Sequence, residues 1–388
     1  MRVIKYFLVL SLFIFPAHGF AAELEVYNPS GIRPDKKYVD ESVKQTMEQV
    51  GRKWPPRVND FPRGDTEKVT VSGDGFEEVN RFFYLRGWTD GLPIVPPTAD
   101  RVDRMLEGVD MPGDFEVATV KPLDGVATIE KIAVNAVMAG CRPEHMPFLV
   151  AAVTGLMNPD FDQLGPATTT GYETHMMIIS GEAATEIDLN PGSGTLGRGT
   201  HGNSALGRAF HLIVQNIGGS VPGVTDMSTH GNPGEFGMCI VENQAQSPWE
   251  SIKSTQGFTA RSNVVNIVAV GNVNQYISIG KTNEQVLDAV ADLIKTTNAA
   301  SRGKVNIWLL PPDVAGEFHK AGYDRDKLKA EIAKRAGDIG ELYLIVSGGP
   351  GEKNLLLAGY YAARKMAAQE VELPSSWKSL VKEVGKDL

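Results

Sequence analysis

The chain has 388 residues, of which 42% are hydrophobic and 22% charged, proportions that provide for a sizeable core and exclude a disordered or fibrous chain. Its formal net charge of -9 at neutral pH argues against nucleic acid or an anionic membrane surface as a partner. After the N-terminal segment no run is continuously apolar for the roughly 20 residues that a bilayer crossing needs, so no membrane span is expected in the mature chain.

In chain order, Arg2 and Lys5 precede an apolar run over residues 6–15, Pro16 breaks it, and Gly19-Phe20-Ala21 offers small residues where a signal peptidase reads. A signal peptide over residues 1–21 is the expectation, with a periplasmic or secreted product. Residues 22–80 read as a polar N-terminal extension, with helices at 40–53 and 75–86. In "RGWTDGLPIVPPT", Pro93, Pro96 and Pro97 forbid a helix and favour extended chain, and Thr98 is placed to cap a helix carrying Val102, Met105 and Leu106. Ile129, Ile132, Ala133, Ala136 and Val137 share one helical face, Gly140 stops that helix, and Pro143 suits the first turn of another over 143–157. Two helices therefore meet at Cys141.

A threonine-rich loop and a buried strand over 176–180 come next, then the glycine-rich "NPGSGTLGRGTHGN" leading into a helix over 204–216. Beyond residue 258, strands at 264–270, 305–310 and 342–347 alternate with helices at 283–300 and 324–336. The expected class is α/β: a mixed or mainly parallel sheet with flanking helices. A core domain with motif loops would span 81–260 and a C-terminal α/β segment 261–388.

Four constellations could carry chemistry. Cys141 sits just outside a helix start beside Arg142, which favours a thiolate; the competing reading is a small buried residue at a helix corner. Gly192, Gly194 and Gly197 match the dinucleotide string, but no strand directly precedes them and no Walker lysine follows. What remains is an anion site at a helix start, with Arg198, His201 and Arg208 as side chains and Asn203 and Ser204 in the first turn. His175, His201 and His230, with Asp90, Glu173, Asp226 and Glu242, form a third group that shows no metal-ligand spacing. The fourth is a short strand over 236–241 that leaves Glu242 and Asn243 at its exit, where α/β proteins place ligands, with Cys239 in its core. Pairing of Cys141 with Cys239 is left open by the sequence.

The blocks "GWTDGLPIVPPT", "EKIAVNAVMAGCRPEHMPFLVAAV", "GNSALGRAFHLIVQNIGG", "PGVTDMSTHGNPGEF" and "ENQAQSPWE" together resemble a bacterial family associated with UGSC-motif (seleno)proteins, over Gly87 to Trp249. The resemblance implies redox or thiol-linked work on a small organic substrate, although the UGSC string is absent and "PPDVAG" stands where relatives carry a histidine-bearing element. The combined expectation is an exported enzyme acting on a small anionic substrate. Asp90, Cys141 and His201 would be catalytic; Arg198, Asn203, Ser204, Arg208, Glu242 and Asn243 would bind. The alternative is a periplasmic small-anion binding or sensor protein. Expected partners are a small-molecule ligand and a redox partner protein, and no cofactor is named by the sequence.

Overall fold

The structure is a computed structural model that describes residues 23–31, 68–72, 75–301, 303–359 and 365–387. The expected signal peptide and the expected helix at 40–53 lie outside the described residues. Within the N-terminal extension, β1 (Glu23–Tyr27) pairs antiparallel with β2 (Lys68–Ser72), and α1 (Phe76–Leu85) follows. Helix α2 (Ala99–Leu106) buries Val102 and Met105, the residues whose spacing predicted it. A hairpin of β3 (Glu116–Val120) and β4 (Gly125–Thr128) leads into α3 (Ile129–Ala139). There the Thr128 hydroxyl accepts from Lys131 N and Gly140 closes the helix at a φ of 85°, a conformation that costs glycine no Cβ clash.

The expected helix over 143–157 divides. His145 N donates to Arg142 O and Arg142 N donates to His145 Nδ1, which tightens residues Pro143–His145 into a 3-10 turn before α4 (Met146–Gly155). Helix α4 is apolar all round and buried along almost its whole length, so it lies inside the core. Short helices α5 (Leu164–Thr168) and α6 (Glu182–Glu186) flank β5 (Thr174–Ser180). Helix α7 (His201–Asn216) starts three residues earlier than its expected Ser204 start, because Thr200 O accepts from Ser204 N and closes the first turn.

Two four-stranded sheets form the body. The first has the order β12-β7-β5-β6, with β6 (Cys239–Val241), β7 (Val264–Val270) and β12 (Ala367–Glu370). The second has the order β10-β9-β11-β8, with β8 (Asn272–Ile277), β9 (Val305–Leu310), β10 (Glu341–Val346) and β11 (Lys353–Ala358). β5 runs parallel to β6 and β9 parallel to β10, while the other pairings are antiparallel, so the α/β architecture is mixed. Strands β7 and β12, both beyond residue 260, complete the sheet that β5 and β6 begin.

The period-two alternation explains the layering. On β5, Met177 and Ile179 join Val265 and Ile267 beneath α3, α4 and α7, while Met176 and Ile178 meet Ile307 and Leu309 of the second sheet. On the far face of that sheet, Trp308, Leu310 and Leu344 pack under α8 (Asn283–Ser301), α9 (Pro312–Lys320) and α10 (Arg325–Ala336). The order is helices, sheet, sheet, helices. Both faces of the central strands are buried, which is why β5, β7 and β9 read as mainly apolar runs, with Asn266 and Asn306 as buried interruptions of β7 and β9. The C-terminal α11 (Trp377–Asp387) is held by Trp377 Nε1, which donates to Glu186 at 2.8 Å.

Candidate functional site

Helix α7 carries a polar stripe. His201, Ser204, Arg208, His211 and Gln215 recur every three or four residues, while Leu206, Phe210 and Ile213 on the other faces are buried. The stripe fastens the "GWTDGLP" loop. Gln215 Nε2 donates to Gly87 O and Thr89 O, both at 2.9 Å, and Asn216 Nδ2 donates to Trp88 O at 3.1 Å. Arg208 grips Asp90 with two parallel bonds, Nε to Oδ2 at 2.7 Å and Nη2 to Oδ1 at 2.9 Å, and also donates to Pro93 O at 2.9 Å. Asp90 and Arg208, expected as a catalytic carboxylate and an anion clamp, are therefore partners of one another. With its fork engaged by a carboxylate and a carbonyl, Arg208 is not available as an anion receptor.

Below this pair the stripe opens into a cavity of about 160 Å³. Its chemistry comes from six side chains: Asp90, Glu173, Asp226 and Glu235, with His175 and His211. Glu173 and His175 stand at the start of β5 and His211 on α7. Asp226 is presented by a tight turn in which Val221 N donates to Thr225 Oγ1 at 2.7 Å and Thr225 Oγ1 donates to Gly219 O. Glu235 belongs to a 3-10 turn, Pro233–Phe236, closed by a reciprocal cap: Asn232 N donates to Glu235 Oε1 at 3.0 Å and Gly234 N donates to Asn232 Oδ1 at 2.8 Å. That turn, followed by Gly237 at a φ of 133°, shortens the strand expected over 236–241 to Cys239–Val241.

The protonation states follow from this enclosure. Burial, reinforced by the neighbouring Asp226, pushes the Glu235 carboxyl up to about 7. Burial lowers His211 to about 4, and its Nε2 approaches the His175 carbonyl at 2.9 Å and Thr174 Oγ1 at 3.1 Å. A carbonyl can only accept, so the His211 proton sits on Nε2 and Nδ1 is the basic nitrogen. His175 is only 4% exposed and lies 5.9 Å, ring to ring, from each of Phe161, Phe210 and His211. Burial, and then His211, pull it down to about 3. Neither of its ring nitrogens hydrogen-bonds to another described residue.

The other expected site residues lie elsewhere. Cys141 and Cys239 are free, buried thiols in the core beneath the helices, and burial, with Cys239 nearby, pushes the Cys141 thiol up. The helix-corner reading replaces the nucleophile, because desolvation outweighs the field of a three-residue turn. His201 is exposed at the start of α7, 6.1 Å ring to ring from buried His145, and burial followed by Arg142 lowers its pKa. Arg198 and Ser204 are exposed and do not line the cavity. Asn203 is a structural clasp: its Nδ2 donates to Asn190 O and Thr195 O at 3.0 Å each, and its Oδ1 accepts from Asn190 N at 2.9 Å, which folds the glycine-rich loop.

Glu242 is buried between the sheets, accepting from Ser180 Oγ at 2.8 Å, Ile252 N at 2.9 Å and Arg325 Nη2 at 3.2 Å, and also from Ser251 Oγ. Asn243 ties the ends of β6 and β10 together through Val346 O and Gly348 O. Asn243 thus cross-links the two sheets, and Glu242 joins the end of β6 to β5, to the turn at Ser251 and Ile252, and to α10. Among the described residues no group of three His, Cys, Asp or Glu side chains is arranged to hold a metal ion, and no helix is long and apolar enough to cross a membrane.

Of the cavity side chains, Asp90, Glu173, His175 and Asp226 stood out in the sequence, whereas His211 and Glu235 did not. The signal for His211 was the polar stripe of α7; that for Glu235 was the N-x-x-E spacing from Asn232, a capping box. No protein-family model matches this chain, and a search of characterised proteins returns no match.

Proposed function

We propose that the protein is a small-molecule enzyme whose chemistry is proton transfer in the cavity between α7, the start of β5 and the Pro233–Phe236 turn. The observation that carries this reading is the convergence of four carboxyl groups and two neutral imidazoles on one pocket of about 160 Å³. That volume is below the roughly 300–1,000 Å³ of drug-sized sites, so the ligand is small. Glu235 exchanges its proton near neutral pH, the condition for an efficient general acid or base. As base it takes a proton from the substrate onto its carboxylate, the electron pair stays on the substrate, and the proton returns at another atom or leaves to water. His211 stays neutral through this range and offers Nδ1 as a second acceptor whose tautomer the His175 carbonyl fixes.

Among the described residues that line the cavity four are acidic and none is Lys or Arg, which makes a small anion a poor fit. A thiol-linked reaction also lacks support, since both thiols lie in the core. The test is hydrogen exchange into a bound ligand. Small molecules that co-purify with the wild-type protein are identified by mass spectrometry, then incubated with fresh protein in D2O near neutrality. Deuterium incorporation that is lost by at least about a hundredfold in Glu235→Gln is the expected result. A ligand that binds without exchanging would make the protein a binding module, and exchange that persists in Glu235→Gln would remove Glu235 from the chemistry.

A further inference from the structure

We infer that β8 is the interface of a symmetric dimer: two copies of the chain pair their β8 strands antiparallel about a two-fold axis at Gln275, and their second sheets join into one continuous sheet.

The backbone of β8 is set up for such a partner. Just before β11, Glu352 O accepts from Ser278 N, and just after it, Gly359 N donates to Val305 O. Bonding groups alternate sides along a strand, so the even-numbered residues of β11 face β8 and the odd-numbered ones face β9. With Asn274 opposite Leu356 and Tyr276 opposite Asn354, the even-numbered residues of β8 are those bonded to β11. The N-H and C=O groups of Val273, Gln275 and Ile277 therefore point off the end of the sheet, and no hydrogen bond joins them to another described residue.

The side chains point to the same edge. Among the outermost strands of the two sheets, β6 is buried throughout and β10 nearly so, whereas every second residue of β8 is exposed, Val273 at 47% and Ile277 at 51%. Asn272–Ile277 contains no Lys, Arg, Asp, Glu or Pro, the residues with which open edges are kept from pairing. An uncharged, half-apolar edge of this kind is a template for another strand.

Self-complementarity says that the other strand is its own copy. With Gln275 on the axis, Val273 lies opposite Ile277 of the second copy and Gln275 opposite Gln275, which is the isologous arrangement of a two-fold dimer. All three are hydrogen-bonded pairs, so the outward N-H and C=O groups of both strands close upon one another with none left over. On the face shared with Leu355 and Leu357, apolar side chain meets apolar side chain twice and amide meets amide once. Each chain carries a formal net charge of -9, yet no charged side chain of β8 meets one of like sign across this seam. A foreign strand would have to supply an apolar-polar-apolar alternation that the chain already contains. The start of β8 is also tied to the cavity walls, since Tyr172 Oη donates to Asn272 Oδ1 at 3.1 Å and Asn232 Nδ2 donates to Tyr172 O at 2.6 Å. Pairing thus braces the strand end on which the Glu173 and Glu235 segments rest.

Sedimentation velocity of the intact protein across the micromolar range should show a species of twice the chain mass. Val273→Lys with Ile277→Lys sets lysine against lysine at both outer pairs and should weaken the dimer by at least about tenfold. Val273→Lys with Ile277→Glu sets opposite charges at the same two places and should recover it. These side chains are half exposed, so each variant should keep the wild-type urea midpoint within the effect of dimer loss. Cross-linking checks the register. In Gln275→Cys the two Cα atoms at the axis stand about 5.5 Å apart, within disulfide reach, so mild oxidation should join the copies. Val273→Cys is displaced from its own copy by roughly 13 Å along the strand and should not cross-link. Cys141 and Cys239 are buried and do not compete. A monomer throughout, a dimer that survives Val273→Lys with Ile277→Lys, a failure of the opposite-charge pair to recover it, or equal cross-linking from both cysteine variants would overturn the inference. If a charged variant does not fold, the two cysteine variants still decide.

Discussion

Asp90, in the "GWTDGLPIVPPT" segment, and Arg208, on α7, form a largely buried ion pair. In the folded chain each neutralises the other, with side chains 9% and 15% exposed. A pair so enclosed is unforgiving of losing one member. Arg208→Ala leaves the Asp90 carboxylate without its fork, and the expected cost is about 3–5 kcal/mol in urea unfolding. Asp90→Asn, which keeps the shape and removes the charge, should cost less, and the double substitution should recover part of the loss. Simple additivity of the two would show that the ion pair is not coupled. Cys141 follows the same logic: the helix start was legible, but burial beside Cys239 of β6 depends on a distant chain segment that no local pattern names.

At the scale of the element, α7 is the piece on which the site depends, and its seat against the first sheet is set by Gly207. A Cβ there would stand 2.6 Å from Met238 N and 2.9 Å from Gly237 C, both backbone atoms that cannot step aside. Ala is the better helix former by about 1 kcal/mol, so helix propensity predicts stabilisation by Gly207→Ala. The contact predicts the reverse, a net loss of about 1–3 kcal/mol together with weaker ligand binding, because α7 must lift from the segment that carries Glu235. Raised stability with unchanged binding would show that the helix has room to shift. The long elements were legible because their patterns are local. Residues 264–270 and 305–310 are strands as expected, and α8 and α10 follow their apolar spacing and the Asp324 cap, whose side chain accepts from Lys327 N. The 3-10 turns, the β3–β4 hairpin and edge strands β8 and β12 were not, since a four-to-six-residue strand with one solvated face carries little signal until its partner is known.

Across the whole molecule, the helices-sheet-sheet-helices stack buries both faces of the central strands, and polar groups caught in it titrate far from their usual range. His145 and His175 are lowered to about 3 and His211 to about 4, each chiefly by burial, while Glu235 is raised to about 7. These act in opposite directions. A histidine with a depressed pKa favours the fold while it is neutral, so its contribution is whole above the unfolded value of about 6.5 and is lost as pH falls toward the folded value. A carboxyl with a raised pKa favours the fold while it is protonated, so its contribution is whole below about 4.5 and is lost as pH rises through 7. Near pH 5 the unfolded chain therefore takes up three histidine protons that the folded chain refuses, while the folded chain keeps one proton on Glu235 that the unfolded chain has mostly released. The balance is about two protons bound on unfolding. Stability should fall by roughly 2–3 kcal/mol per pH unit around pH 5, and the slope should flatten above about 6.5. Urea unfolding at half-unit steps from pH 7.5 to 4.5 measures it, and His175→Phe should remove about one proton from the slope. A flat profile would mean that these imidazoles are protonated in the fold, and with that the neutral His175 and His211 that the cavity chemistry requires would be lost as well.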